Sequence, residues 1–220
     1  MKAKFLNCFI IIFLLLYFLG CGATQPIRTL EEGASSVQAS LGGPIIPFAD
    51  LPVPVPYLNL GYAKGIQKNL TLFGNAHVTA LLFKDAAFDA GIVSSFAKEK
   101  GMRPEITVKV QGNFFWAALR GREFRFLPTI HANGSYRVGG RSLFYFGAEN
   151  NYDLLQSQSL FSPFIGYQFP LSQSLFMQAE TKWIAANKDT RHGIFEGYAS
   201  VLGQGNMGLF LAFTYRLNEK

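Results

Sequence analysis

From about residue 35 onward the chain alternates apolar and polar side chains with a period of two, as β-strands with two unlike faces do. In Asn206–Leu217, Met207, Leu209, Leu211, Phe213, Tyr215 and Leu217 share one face, while Gly208, Phe210, Ala212, Thr214 and Arg216 share the other. Ile106, Val108, Val110, Phe114 and Trp116 likewise oppose Thr107, Lys109, Gln111 and Asn113. After a turn at Arg120-Gly121-Arg122, Phe124, Phe126, Ile130 and Tyr136 oppose Thr129, His131, Asn133 and Ser135. Further strands are predicted at residues 35–43, 57–66, 70–82, 86–97, 141–151, 161–169 and 174–185, which makes about ten. The 141–151 segment is ambiguous, because Leu143 to Phe146 is apolar on both faces. Residues 44–56 (rich in proline), 152–160 and 186–205 read as the longer loops.

Alternation by itself fits a soluble sandwich, with the apolar face inward, as well as a membrane barrel with that face outward. Three features favour the barrel. The segments run about 9–13 residues, close to the ~9–11 that a tilted membrane strand needs. Lone charges such as Asp89, Lys109, Glu180 and Lys182 sit in mid-strand on the polar faces, where a polar barrel interior can hold them. Long and short connections alternate along much of the chain. Trp116 and Trp183 then fall near one rim, and Tyr62, Tyr136, Tyr167 and Tyr215 near the other, as interfacial girdles require. The expected fold is all-β: an antiparallel up-and-down transmembrane β-barrel of about ten strands, with eight as the alternative count. A periplasmic lipoprotein with a soluble β-sandwich is the rival architecture.

The opening residues belong to a different system. Lys2 and Lys4 precede an apolar run, Phe9 to Leu19, too short to span a bilayer but suited to a signal-peptide core. Phe18-Leu19-Gly20-Cys21 resembles the lipobox of bacterial lipoproteins, which implies cleavage before Cys21 and acylation of its thiol. Phe18 departs from the leucine usual there. The only other cysteine, Cys8, leaves with the signal, so the mature chain has no pair for a disulfide. The division expected is a signal peptide at 1–20, a lipidated N-terminus and tether at 21–34, and a barrel at 35–220.

Asn206-x-Gly208-x-x-Leu211-x-Phe213 resembles the C-terminal assembly signal of bacterial outer-membrane barrels, although seven residues follow it here. That resemblance implies recognition of the last strand by the barrel-assembly machinery and an outer-membrane location, with outer-membrane lipid as a partner. The even strand count puts both termini on one side, expected to be the periplasmic side, where a lipid on Cys21 can enter the inner leaflet.

Loss of Lys2 and Lys4 lowers the formal net charge from +6 to +4, and the basic residues are dispersed. A nucleic-acid partner needs a clustered basic stripe, so that class is set aside. The interior candidates are His77, Asp89, Lys109, His131, Glu180 and Lys182. His77 with Asp89 or Ser95 raises a barrel enzyme acting on lipid acyl chains as one alternative, and a narrow small-solute pore is another. Hydrogen bonding inside the barrel accounts for the same residues, and so does a salt-bridge network that plugs it. His192, beside Asp189 and Arg191, reads as part of a solvated outer loop. Gly203-x-Gly205-x-x-Gly208 matches a dinucleotide fingerprint in letters only, because a strand follows it where the motif needs a helix. No catalytic set, metal-ligand spacing or cofactor motif is assigned. The leading functional class is structural or surface interaction.

Overall fold

The computed structural model describes residues 26–48, 51–82, 84–117, 123–189 and 199–217. Its strands are β1 (Ser35–Phe48), β2 (Leu51–Pro54), β3 (Leu58–Gln67), β4 (Leu70–His77), β5 (Ala86–Ala97), β6 (Glu105–Ala117), β7 (Glu123–Val138), β8 (Ser142–Asp153), β9 (Gln158–Pro170), β10 (Leu175–Asp189) and β11 (Gln204–Arg216), with a short helix α1 (Val78–Leu82). Each strand pairs antiparallel with the next in sequence order, except that β2 pairs with β1 alone and β3 also pairs with β1. The register from Ser36↔Arg216 to Pro44↔Gly208 joins β1 to β11, so β1 and β3–β11 close into a ten-strand barrel. Closure leaves no edge in the wall and pairs its backbone polar groups within the protein, which a hydrocarbon surround demands.

The polarity is inside out. Val37, Leu41, Leu60, Tyr62, Phe88, Val110, Ile130, Phe161, Leu211 and Phe213 are exposed on the outer face. Thr71, Asn75, Thr107, Gln111, Asn113, Asn133 and Gln178 are buried within. A soluble sandwich requires the opposite assignment. The outward apolar wall therefore makes this a transmembrane barrel.

Both ends of the barrel chain lie at one rim, here the terminal rim, together with the tight turns after β3, β7 and β9 and the seven-residue turn 98–104. Tyr62, Tyr136, Tyr167 and Tyr215 stand near it, and Trp116 and Trp183 near the far rim.

The expected 70–82 strand stops at His77 and gives way to α1. The partner β3 begins only at Leu58, so nothing remains for residues 78–82 to pair with. Thr79 instead accepts from the Leu58 amide at 2.8 Å, and one helical turn carries the chain back to β5. The predicted loop 44–56 is largely strand, because β1 runs on to Phe48 and β2 folds back on it from Ile45↔Pro54 to Phe48↔Leu51. Pro52 and Pro54 are two apart and so share one edge of β2. The Val55 amide donates to Pro44 on the paired side, which puts the prolines' missing N–H groups on the free edge. The 152–160 loop shrinks to a turn at 154–157, where Asp153 Oδ1 accepts from the Leu155 and Gln156 amides. The Arg120–Arg122 turn, His192, residues 190–198 and Cys21 lie outside the described residues, and of the predicted 186–205 loop β10 takes residues 186–189 and β11 takes 204–205.

A candidate functional site in the barrel lumen

All six interior candidates from the sequence face the lumen and are buried, and register gathers them into two groups. Asn75 on β4 stands opposite Asp89 on β5, and β4 ends with His77 on the same inward face. The Asn75 amide donates to Asp89 Oδ1 at 2.6 Å, and His77 Nε2 lies 2.9 Å from Asp89 Oδ2. The other ring nitrogen of His77, Nδ1, meets the Tyr57 hydroxyl at 2.7 Å. Phe115 packs its ring edgewise on the imidazole, at 5.8 Å between centroids. Tyr57 and His77 are 2 % and 1 % exposed. This packing ties the β2–β3 connection to β4 and β5.

The second group fills the middle. Lys109, His131 and Glu149 occupy one row across β6, β7 and β8. From β10, Lys182 Nζ reaches Glu149 Oε2 at 2.6 Å and Glu180 Oε1 at 3.6 Å. His131 Nδ1 approaches Glu149 Oε2 at 3.4 Å, and the Tyr145 hydroxyl donates to Glu180 Oε2 at 3.2 Å. Lys109 lies within electrostatic reach of Glu180, Glu149 and Asp89, which links the two groups. The Lys182 ammonium also sits 5.2 Å from the Phe210 ring centre and 5.7 Å from that of Phe164. Lys109, Glu149, Gln178 and Lys182 are each only 2–3 % exposed, so neighbouring side chains cover them almost completely at this level of the barrel.

Sequence reading missed Glu149, Tyr145 and Tyr57. Glu149 and Tyr145 belong to β8, whose two apolar faces hid its orientation. Inward positions Leu143, Tyr145, Gly147 and Glu149 are two apart, so Glu149 alone fixed the parity. Gly166 on β9 makes the room for Tyr145, since a β-carbon there would meet the tyrosine ring and hydroxyl.

The residues read as a tether contain the third component. Residues 26–34 cross the terminal mouth of the lumen as a strap. Ile27 is buried against Tyr145 and Phe164, and its carbonyl accepts from Thr107 Oγ1 at 2.9 Å and Asn133 Nδ2 at 3.2 Å. Arg28 spans Glu99 at 2.7 Å and Glu105 at 3.3 Å, and donates to the Ser135 hydroxyl and carbonyl at 2.8 and 3.0 Å. Leu30 packs on Ala63, Phe73 and Val93, and its amide donates to Thr71 Oγ1 at 2.8 Å. Glu99, in the 98–104 turn, is held below the usual carboxylate range chiefly by its hydrogen bond from Arg28.

Among the described residues no cluster of three metal-ligating side chains occurs, and no helix is long and apolar enough to cross a membrane.

No protein-family model matches the chain, and no curated protein matches its sequence. Solved structures of similar shape include the COG4313 outer membrane channel from Pseudomonas putida F1, at 9 % identity and TM-score 0.48 over 88 % of this chain and all of that one. The translocator domain of the autotransporter NalP from Neisseria meningitidis gives 12 % and 0.40, over 86 % and 90 %. Ail, the attachment invasion locus protein of Yersinia pestis, gives 13 % and 0.28, over 84 % and 99 %.

Proposed function

We propose that the protein is an outer-membrane barrel, sealed along its lumen, whose role is structural or interactive at its rims. The observation that carries this reading is the burial of Lys109, Glu149 and Lys182 at mid-barrel. A conducting pore keeps a column of water beside such groups, whereas here Lys182 meets Glu149 and Glu180 and stands beside two aromatic rings, and His131 approaches Glu149. In this reading the terminal rim faces the periplasm, and an acyl group on Cys21 enters the adjacent leaflet. The far rim, with the β1–β2 hairpin and α1, then presents Leu51, Leu81 and Leu82, which are exposed, on the outer side.

Purified protein in planar bilayers tests the seal. Silent membranes, together with a boiling-dependent gel shift that reports the intact barrel, are expected. Steady ion conductance from the intact barrel refutes the reading and makes the protein a pore.

The acyl-handling alternative draws on the His77–Asp89 contact. Tyr57 occupies the other His77 nitrogen, and the ring is almost wholly buried, so the group as it stands offers a lipid ester no approach.

A further inference from the structure

The strap and its seat are built as ligand and receptor. Inward positions on the barrel wall are mostly polar, yet the wall turns apolar where strap side chains land: Tyr145 and Phe164 under Ile27, and Ala63, Phe73 and Val93 under Leu30. Between these two hollows stand Glu99 and Glu105, both on Arg28. Recognition also reaches the strap backbone, through Thr107 and Asn133 on the Ile27 carbonyl and Thr71 on the Leu30 amide. Gly65 on β3 completes the seat. A β-carbon there would run into the Glu31 and Leu30 carbonyls, so the position stays bare to let the strap lie against the wall. Among the described residues the strap joins the barrel's ladder only near the β1 junction, through the Gly33 and Gly65 amides.

We propose that the terminal mouth is a binding site for an extended peptide of the pattern aliphatic–arginine–threonine–aliphatic, occupied here in cis by Ile27–Leu30, whose Thr29 Oγ1 is also buried. The strap is then an autoinhibitory occupant, which a partner segment of the same pattern displaces. This goes beyond the sealed-barrel reading, since it names a ligand class and stands whether or not the barrel conducts.

The test uses a chain lacking residues 26–33, with the barrel verified by its boiling-dependent gel shift, and a fluorescent peptide of the strap sequence PIRTLEEG. Saturable binding to the shortened barrel is expected, with little binding to the full chain, whose site is filled. Replacing the peptide's arginine by alanine is expected to weaken binding at least about tenfold, because a charge-assisted network is lost. A folded shortened barrel that ignores the peptide, or binds both peptides equally, overturns the proposal. If the shortened chain forms no barrel, Gly65→Ala in the full chain takes its place, with Leu30→Cys as reporter and thiol labelling read by mass at position 30. Labelling that rises about tenfold with Gly65→Ala supports a displaceable strap, since each factor of ten is ~1.4 kcal/mol of lost seating. Labelling equally fast with and without Gly65→Ala, or equally slow, overturns it.

Discussion

Lys182 touches two carboxylates and stands near two aromatic rings, and its environment differs sharply from water. Removing one member of a buried ion pair strands the other, at a cost of about 3–5 kcal/mol, whereas removing both together is often close to neutral. Lys182→Met is therefore expected to lower barrel stability by ~3–5 kcal/mol, because Glu149 and Glu180 are left facing each other. Adding Glu149→Gln is expected to recover much of the loss. Urea titration of the gel shift in detergent reads both, and a Lys182→Met barrel as stable as the parent would show that the ammonium is dispensable. Legibility at this scale was partial. The side-chain parity of β6, β7 and β10 in the sequence alone places Lys109, His131, Glu180 and Lys182 inside. The contact from Lys182 to Glu149, by contrast, crosses β9 and depends on how the barrel curves.

At the scale of elements, the strap responds to its electrostatics. Arg28 is faced by Glu99 and Glu105, with Lys98 near Glu105 and Arg137 donating its amide to Glu99. Because Arg28 depresses the Glu99 carboxyl, this contact contributes its full stability above the ordinary glutamate value and loses it as pH falls through the depressed one. Protection of a Leu30→Cys thiol is thus expected to hold at neutral pH and to fail only below about 4.3, the unperturbed glutamate value. Raised salt is expected to weaken it too, since Glu99 stands at the rim where ions screen. Protection lost already near neutral pH would mean that some other group holds the strap. Two segments differ from the sequence expectation: the 44–56 loop, which pairs as strands, and the 70–82 strand, which ends at His77. Residues 45–48 and 51–54 pair as a proline-guarded hairpin, and residues 78–82, lying beyond the start of β3, have no strand to join there and coil into α1. A proline count signals a break but not the pairing around it.

For the whole molecule, the N-terminal anchor and the outward wall make separate predictions. If Cys21 carries acyl chains, radiolabelled palmitate enters the protein in growing cells, and Cys21→Ser abolishes incorporation. The barrel of that variant is still expected to show its gel shift and to resist extraction from membranes by alkali, because the apolar wall alone buries it in lipid. Alkali release of Cys21→Ser would assign membrane attachment to the lipid instead of the strands.

The sequence by itself determined the barrel class and the inside-outside sense of most strands. Side-chain parity is a local property, and a one-residue slip would turn every apolar face inward. It also set the two aromatic rims, since a residue's height depends only on its place along its strand. Three features were left to the tertiary structure: the register of β1 on β11, the charge network across β6 to β10, and the strap in the terminal mouth. Each joins residues far apart in the chain, as in the bonds from Arg28 to Ser135 and from Asn206 to Ile45. The strap is the sharpest case. Its letters are short and mixed enough to read as a tether, and it has no period of its own. Its conformation is imposed by hollows in the wall that exist only once the barrel has closed.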